Sequence, residues 1–368
     1  MTMTVMEILH QGGGAGSVFS TLHLSIGLAR RGLAVRFVCP PDSAVEAEAR
    51  AANLEVHPLA LRPHQRRQNA AAIAALLARY PVDLINSQSA RDREALTWLG
   101  LTRRLWVPLI VTRRQMPRTF FLENWLASRV AARVVAVSQA VADALAARGT
   151  PRNRVAVIHN GLITARIDRP VSPEELASWR HQIGWRADRP TLGIVARLKD
   201  QEVVLRALDR VATPVALVIV GVPAGSSLEP LAAQVPQRHQ VKLLPFTPDV
   251  RPLYDLLDLV LLPSRMEGFS QSLLEAMALG RPVIASGATG NLEMITPESD
   301  GLLVPPADPA AWAAAIERLI ADPALRERLG AAARRTARER FSLDHTVERT
   351  AQLYRDVLAE VGASRPIG

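Results

Sequence analysis

Two glutamates eight positions apart stand in the segment whose residue types and spacing most clearly indicate binding chemistry. Glu267 lies in a loop that follows an apolar run, and Glu275 lies in the first turns of the helix that the loop opens. Gly268 permits a tight turn, and Ser270 is suited to cap the helix. A carboxylate accepts hydrogen bonds from hydroxyl groups, so two carboxylates at this spacing suit two sugars of one ligand lying over the helix N-terminus.

The plainer interpretation of these glutamates is an acidic pair that complements the positive end of the helix dipole. That interpretation accounts for the acidity of the segment. It does not account for Phe269, an apolar residue that we expect to be exposed beside Glu267. We therefore interpret residues 263–280 as a ligand-binding segment.

Two cations follow another apolar run, where the chain leaves a predicted strand. Arg197 and Lys199 are separated by one residue, and Lys199 is one of two lysines in a chain with 42 arginines. A pair of cations at the end of a strand suits the phosphates of a diphosphate. For Lys199 taken alone, a solvated surface charge is the alternative.

A glycine-rich turn at 11–17 joins the first predicted strand to a helix. Gly13 and Gly14 let a ligand approach the backbone and expose amides at a helix N-terminus, which favours phosphate. Nicotinamide enzymes use the same feature, but the spacing here is not a clean G-x-G-x-x-G. The second strand also ends at Cys39 followed by two prolines, with no acidic residue for a ribose, so the sequence disfavours a dehydrogenase.

Short β-rich runs alternate with longer helical runs, and the alternation restarts after a polar stretch at 168–190. The predicted strands run from 5–10 to 155–159 in the first set and from 192–196 to 301–304 in the second. This pattern predicts an α/β fold of two Rossmann-like, doubly wound parallel-sheet domains that face each other across a cleft, where a ligand would bind. The predicted divisions are an N-terminal domain at 1–165, a C-terminal domain at 166–345 and a final helix at 346–368 that packs back toward the first domain.

The length of 368 residues, 48% of them hydrophobic, suits two domains that each bury a core. Cys39 is the only cysteine, so no intrachain disulfide forms and nothing demands an oxidising compartment. The first residues lack the basic and apolar regions of a signal peptide, and the apolar stretch at 211–222 is too short to span a bilayer. We expect a cytoplasmic protein, or one held peripherally at the inner face of the membrane.

The positive charge of the chain is concentrated in its first half. Residues 1–163 carry 20 Arg and Lys against 10 Asp and Glu, a net +10, whereas residues 164–368 carry 24 against 25, a net −1. A basic domain suits an anionic partner such as a lipid headgroup, a phosphorylated acceptor or a nucleic acid. No nucleic-acid-binding motif accompanies the charge, so we expect no nucleic acid partner.

Aromatic residues interleave with arginines at 113–133. Phe120, Phe121 and Trp125 occur among these basic residues. Aromatics among arginines suit a membrane interface and a lipid-linked acceptor. A core helix with one solvated, charged face is an equally good interpretation of the same pattern.

Taken in order, these motifs make the chain resemble glycosyltransferase family 4, whose members have the GT-B fold, over nearly its full length. The acidic motif is the most specific of them. The matching positions are Gly13 and Gly14, 137–140, 159–161, Arg197 with Lys199, 245–250, 267–275 and 290–294.

The resemblance implies a role for each matching side chain. Arg197 and Lys199 would hold the donor diphosphate, Glu275 the nucleotide ribose, and Glu267 with the neighbouring amides the donor hexose. It also implies transfer with retention of anomeric configuration, a UDP- or GDP-sugar as substrate, no other cofactor and no metal. The implied catalytic residues are Arg197, Lys199 and Glu267, and the implied donor-binding residues are Gly13, Gly14, Gly268, Phe269, Ser270, Ser272, Leu273 and Glu275.

The chain departs from the family pattern in its first half. Family members offer a histidine to the donor sugar after a strand, but here Arg114 or Gln115 takes that place. A second frequent histidine, near 86–89, is also absent, although Asp92 is present. We hypothesise that Arg113 or Arg114 contacts an anionic donor sugar or an acceptor phosphate. The other candidates for the donor sugar or the acceptor are Asp92, Ser138 and Asn160.

Two further departures concern spacing. The family usually has a longer stretch between the arginine and the lysine, and an acidic residue after its Asn-Gly turn, where this chain has Leu162 and Ile163.

The expected function is transfer of a hexose to a hydroxyl of a glycan or lipid-linked acceptor, in envelope polysaccharide or glycolipid synthesis. The alternatives are an epimerase or phosphorylase of the same fold, and a non-catalytic nucleic-acid binder.

Overall fold

The computed structural model describes residues 2–13, 16–117 and 120–363, and the chain divides into two compact units. The first unit combines residues 1–161 with residues 343–368, and the second comprises residues 162–342. The predicted boundaries, after residues 165 and 345, lie a few positions further along the chain.

The first unit is built on a parallel sheet of seven strands within the described residues, in the order β3-β2-β1-β4-β5-β6-β7. Its strands are mostly apolar runs because helices cover both faces. The order reverses between β1 and β4, where Ile8 pairs with Ser87. The strands are β1 Thr4–Ile8, β2 Ala34–Cys39, β3 Glu55–Pro58, β4 Leu84–Ser87, β5 Leu109–Arg113, β6 Arg133–Ala136 and β7 Val155–Val157.

Helices connect these strands, and the last helix of the chain returns to the same unit. Val347 of that helix packs against Gly27, where a side chain would leave no room for it. The helices of the first unit are α1 Gly16–Arg30, α2 Ala44–Ala51, α3 Arg66–Arg79, α4 Ala90–Leu101, α5 Phe121–Val130, α6 Gln139–Ala146 and α16 Leu343–Ala363.

A buried polar network fastens α16 to the sheet. The hydroxyl of Tyr354 donates to Glu7 Oε1 at 2.5 Å and accepts from Asn86 Nδ2 at 2.6 Å. Gln88 Nε2 donates to the other carboxylate oxygen at 2.6 Å. Burial raises the pKa of Glu7, although these hydrogen bonds oppose the shift.

The second unit repeats the architecture with a parallel sheet of six strands among the residues described, in the order β10-β9-β8-β11-β12-β13. Its order reverses between β8 and β11. The strands are β8 Thr191–Val195, β9 Ala216–Val220, β10 Gln240–Leu244, β11 Leu259–Leu262, β12 Val283–Ser286 and β13 Leu302–Val304.

Two doubly wound, Rossmann-like sheets therefore confirm the predicted fold class. No helix in the described part of the chain is both long enough and apolar enough to cross a bilayer. The helices of the second unit are α7 Thr164–Ile167, α8 Pro173–Ile183, α9 Glu202–Ala207, α10 Leu228–Gln234, α11 Arg251–Leu256, α12 Gln271–Ala278, α13 Asn291–Met294, α14 Pro309–Ala321 and α15 Pro323–Arg340.

Candidate active site

Three loops meet at the carboxyl edge of the second sheet, because β8, β11 and β12 are parallel neighbours. They comprise residues 196–201 after β8, 263–270 after β11 and 287–290 after β12. The edge includes the point where the strand order reverses, which is the usual ligand position in such sheets. The sequence-predicted residues Arg197, Lys199 and Glu267 are all carried by these loops.

The short loop after β8 is fixed by one buried amide. Gln201 Nε2 donates to the carbonyl oxygen of Arg197 at 2.7 Å, and its Oε1 accepts from the backbone N–H of Lys199 at 2.6 Å. Gln201 is almost fully buried, whereas Arg197 and Lys199 are exposed. A rigid base therefore presents two cationic side chains at the edge of the sheet.

The loop after β11 is joined to its neighbour after β12. The backbone N–H of Glu267 donates to Thr289 Oγ1 at 2.9 Å, and the N–H of Gly290 donates to the carbonyl oxygen of Glu267 at 3.1 Å. A Cβ on Gly290 would lie 2.1 Å from the carbonyl oxygen of Gly268, so only glycine permits this approach. The position of Glu267 thus depends on the loop at 287–290.

Lys199 and Glu267 are in direct contact. The ammonium donates to Glu267 Oε1, which makes each group the counter-charge of the other. The lysine side chain is 34% exposed and the glutamate side chain 13% exposed, so the pair is partly shielded from water. A second ion pair, between Asp200 and Arg265 at 2.7 Å, joins the same two loops.

Ser270 caps α12 as the sequence suggested. Its side chain accepts from the N–H of Leu273 at 3.4 Å and lies 3.3 Å from the hydroxyl of Ser272. Gly268 and Leu273 are buried, and Ser272 is half-buried. The segment therefore begins a helix of eight residues beside the Lys199–Glu267 pair.

The prediction that Phe269 is exposed is wrong. Its side chain is only 5% exposed, and its ring meets Phe341 edge to face at a centroid distance of 5.1 Å. Phe269 is buried because the residue before the helix cap turns inward and packs its ring against a second aromatic ring. The exposed large apolar side chains within these loops are those of Met266 and Leu198.

Glu275 lines a pocket one turn further along α12. Arg166 Nε lies 3.8 Å from Glu275 Oε1, and the hydroxyl of Tyr254 lies 3.5 Å from Oε2. Asp249 and Leu279 are also among the residues that line this pocket. Burial raises the pKa of Glu275, although Arg166 and the hydrogen bond from Tyr254 act in the opposite direction. A half-buried carboxylate beside a cation can accept hydrogen bonds from a polar ligand.

In the first unit, the two candidate arginines occupy different surroundings. Arg113 is 7% exposed, and its guanidinium donates to Asn124 Oδ1 at 2.9 Å. Arg114 is less buried, and it donates to Gln88 Oε1 at 3.0 Å and to Asn160 Oδ1 at 2.5 Å. The structure therefore brings Arg114 and Asn160 together and places Arg113 beneath α5.

Ser138 and the glycine turn complete the candidate positions of the first unit. Ser138 is fully buried and caps α6 by accepting from the N–H of Val141 at 3.2 Å. Gly13 is exposed just before α1. Gly14 lies outside the described residues.

Sequence reasoning missed one partner of Asp92. The buried carboxylate accepts from Ser87 Oγ at 2.7 Å and from the N–H of Ser89 at 2.9 Å. Nδ1 of His10 lies 3.2 Å from its Oδ1. The available signal was the position of His10 directly after the first strand and before the glycine turn.

Helix α5 carries an exposed apolar patch at its start. Phe120 is 85% exposed, and the side chains of Phe121, Leu122 and Trp125 are also exposed. The guanidinium of Arg129 lies 5.4 Å from the centre of the Trp125 ring. These exposures contradict the interpretation of the aromatics as the buried face of a core helix.

Two Rossmann-like units, with cationic and acidic loops at the carboxyl edge of the second sheet, agree with the predicted GT-B fold. The family model for Glycosyltransferase Family 4 matches residues 14–166, and that for Glycosyl transferases group 1 matches residues 177–336. The chain belongs to this glycosyltransferase family.

Individual relatives agree with this assignment. A protein of Xylanimonas cellulosilytica named D-inositol 3-phosphate glycosyltransferase is 32% identical over 298 residues, which is 73% of this chain and 70% of that protein. An uncharacterised glycosyltransferase of Methanocaldococcus jannaschii is 31% identical over 250 residues, 65% of this chain. The match spans 64% of that relative's length, just under two thirds.

A solved structure shows the same fold over nearly the whole chain. The Anabaena protein HepE, solved in complex with UDP-glucose, superposes with a TM-score of 0.83 at 22% identity. The superposition covers 96% of this chain and 100% of HepE.

Proposed function

We propose that the protein transfers a hexose from a nucleoside-diphosphate sugar to a hydroxyl of a glycan or lipid-linked acceptor. The contact between Lys199 and Glu267 at the carboxyl edge of the second sheet carries the proposal. It places a cation suited to a diphosphate against a carboxylate suited to sugar hydroxyls. The Anabaena structure with UDP-glucose supports a UDP-sugar as the donor, with a GDP-sugar as the alternative.

Charge development explains why these residues would accelerate transfer. Departure of the nucleotide builds negative charge on the diphosphate, which Arg197, Lys199 and the amides that open α12 would neutralise. The sugar carbon gains positive character as its bond to the phosphate oxygen breaks. We propose that the acceptor oxygen attacks with retention of configuration and that the leaving phosphate takes its proton. The proposal requires no metal and no further cofactor.

The acceptor is proposed to bind the basic first unit. The Xylanimonas relative is named for an inositol phosphate, and an anionic acceptor of that kind would suit this charge. A lipid-linked acceptor would carry phosphate as well. Assembly of envelope polysaccharide or glycolipid is consistent with either acceptor.

A panel of UDP-, GDP- and ADP-sugars tests the proposed reaction. The purified protein should release free nucleotide from one nucleotide series, and release should accelerate when an acceptor is added. No release from any donor, with or without polyol and glycan acceptors, would overturn the proposal. Product analysis with donor alone distinguishes the alternative, because an epimerase would change the donor sugar without an acceptor.

Donor binding should weaken on acidification at a higher pH than it would with an ordinary, exposed glutamate in this position. Burial raises the pKa of Glu275, so the carboxylate that would hold the ribose becomes protonated earlier as the pH falls and then loses acceptor capacity. Calorimetry with UDP-glucose, whose diphosphate stays ionised under mildly acidic conditions, measures the effect. Glu275→Gln should bind about tenfold more weakly at pH 7 and show little dependence on pH.

Glu298→Gln is the matched control for this pH dependence. Glu298 pairs with Arg318 on the surface of the same unit, and hydrogen bonds from that arginine lower its pKa. Its replacement should leave the pH profile unchanged. A profile equally steep in Glu275→Gln and in the unmodified protein would contradict a role for Glu275.

The exposed start of α5 supports peripheral attachment at the cytoplasmic face of an anionic membrane. Aromatic side chains enter the headgroup region readily, and the net +10 of residues 1–163 would attract acidic lipids. Phe120→Ser with Leu122→Ser should weaken binding to vesicles containing phosphatidylglycerol by roughly tenfold or more, since each buried side chain contributes about 1.5–3 kcal/mol.

Sedimentation with vesicles measures this loss, and Leu292→Ser is its control. Leu292 is an exposed leucine of the second unit. Its replacement should leave vesicle binding unchanged. Equal binding by the unmodified protein and the α5 double variant would rule out α5 as the attachment surface.

A further inference from the structure

His10 lies where the strand order of the first sheet reverses. It follows β1 by two residues, and its partners Ser89 and Asp92 follow β4, the parallel neighbour of β1. Its backbone N–H donates to Ser89 Oγ at 3.0 Å, and its Nδ1 lies 2.6 Å from the same oxygen. The imidazole is therefore held at the carboxyl edge of the sheet, the side on which ligands bind in this architecture.

The hydrogen bonds around Asp92 determine which ring nitrogen carries the proton. Ser89 Oγ donates its one hydrogen to the Asp92 carboxylate. Its lone pair must then accept from His10 Nδ1, which also faces Asp92 Oδ1 at 3.2 Å. Nδ1 thus carries the hydrogen, and in the neutral ring Nε2 is left as an acceptor.

Asp92 is suited to hold this tautomer. Its side chain is fully buried, which disfavours its charge, but hydrogen bonds from His10, Ser89 and Ser87 outweigh burial and hold its pKa below the ordinary value. The carboxylate therefore stays ionised and fixes the orientation of the ring. Comparable carboxylate–histidine pairs orient a ring nitrogen for use elsewhere.

The second ring nitrogen of His10, Nε2, lies on the edge of the ring opposite Nδ1. Among the described residues, none forms a hydrogen bond with Nε2 of His10, and the side chain is 10% exposed. The glycine turn follows His10 in the chain, and Gly13 in that turn is exposed. A fixed, shielded nitrogen lone pair is complementary to an alcohol O–H.

We propose that His10 Nε2 accepts a hydrogen bond from a hydroxyl of a sugar or polyol acceptor, with Asp92 as the residue that positions the ring. The inference deepens the proposed function and rests on it. It places one acceptor contact in the first unit, separate from the donor residues of the second. The leaving phosphate of the donor takes the acceptor proton as before, so His10 binds and orients the hydroxyl.

His10→Asn separates this role from a purely structural one. The asparagine amide can reproduce the Nδ1 hydrogen bond to Ser89 and Asp92, but it has no atom in place of Nε2. We expect the KM for myo-inositol or its 3-phosphate, whichever the unmodified protein uses better, to rise at least tenfold. The affinity for UDP should be unchanged. His57→Asn, at a histidine on strand β3 of the same unit, is the matched control and should change neither quantity.

Nitrogen NMR of the histidine side chains tests the proposal without an acceptor. In labelled protein at pH 8, the His10 ring should show a protonated Nδ1 and an unprotonated Nε2. The opposite tautomer would overturn the proposal, and so would an unchanged acceptor KM in His10→Asn. If the unmodified protein neither binds nucleotide nor turns over any donor, the proposed function itself fails, and the tautomer measurement still reports on His10.

Discussion

Lys199→Ala is expected to lower kcat/KM for the donor about 100-fold or more. The substitution removes a cation that would neutralise the departing diphosphate, and losing one such group typically costs 10²–10³ in rate. It also leaves the carboxylate of Glu267 without its counter-charge. Both effects raise the free energy of the transition state. Neither effect disturbs the buried core, because Lys199 is exposed.

The second lysine of the chain provides the control. Lys242 is exposed on strand β10, away from the three loops of the candidate site. Lys242→Ala makes the same chemical change and should alter kcat/KM less than twofold. Donor turnover that falls equally in both variants, or in neither, would show that Lys199 has no special role.

Gly290→Ala is expected to reduce turnover at least tenfold and to destabilise the second unit by about 1–3 kcal/mol. The new Cβ would lie 2.1 Å from the carbonyl oxygen of Gly268 and 3.1 Å from that of Glu267. These are backbone atoms, so no side-chain rotation relieves the overlap and the 263–270 loop must move. Urea unfolding and steady-state kinetics measure the two effects.

Gly287→Ala tests the same loop where space is available. A Cβ there would meet its nearest neighbour, the carbonyl oxygen of Val304, at 3.5 Å, an ordinary contact. This variant should keep the stability and most of the activity. Unchanged turnover in Gly290→Ala would mean that the position of Glu267 does not depend on its approach to 287–290.

The alternating pattern was sufficient to predict both sheets, because parallel strands covered on both faces are apolar runs that stand out from the sequence. Helix α8 was missed, since its polar composition made 168–190 look like a linker. Its local signals were nevertheless present. Ser172 and Glu175 form a capping box, and Gly184 ends the helix with a φ of 64°.

The placement of the candidate-site loops was predictable where it depends on strand order and less so where it depends on side-chain packing. Arg197, Lys199 and Glu267 follow neighbouring strands, so topology alone brings their loops together. The inward turn of Phe269 depends on Phe341, 72 positions away in sequence, which no local pattern reveals. The contact of His10 with Asp92 likewise joins residues that are distant in the chain.

Composition predicted the basic first half but could not show whether its aromatic side chains are buried or exposed. A helix that begins Phe-Leu-Glu-Asn-Trp suits either a core or an interface, because its apolar residues do not follow one clear stripe. Only the packing of the neighbouring elements shows that Phe120 and Leu122 are exposed. The membrane proposal therefore depends on tertiary structure rather than on the sequence pattern.

A crystal structure of the protein with bound UDP would show directly whether the second unit holds the donor. We expect the ribose hydroxyls within hydrogen-bonding distance of Glu275 and the diphosphate against Arg197 and Lys199, with the ammonium drawn from Glu267 towards phosphate. UDP bound elsewhere on the molecule, or a diphosphate that contacts neither cation, would contradict it.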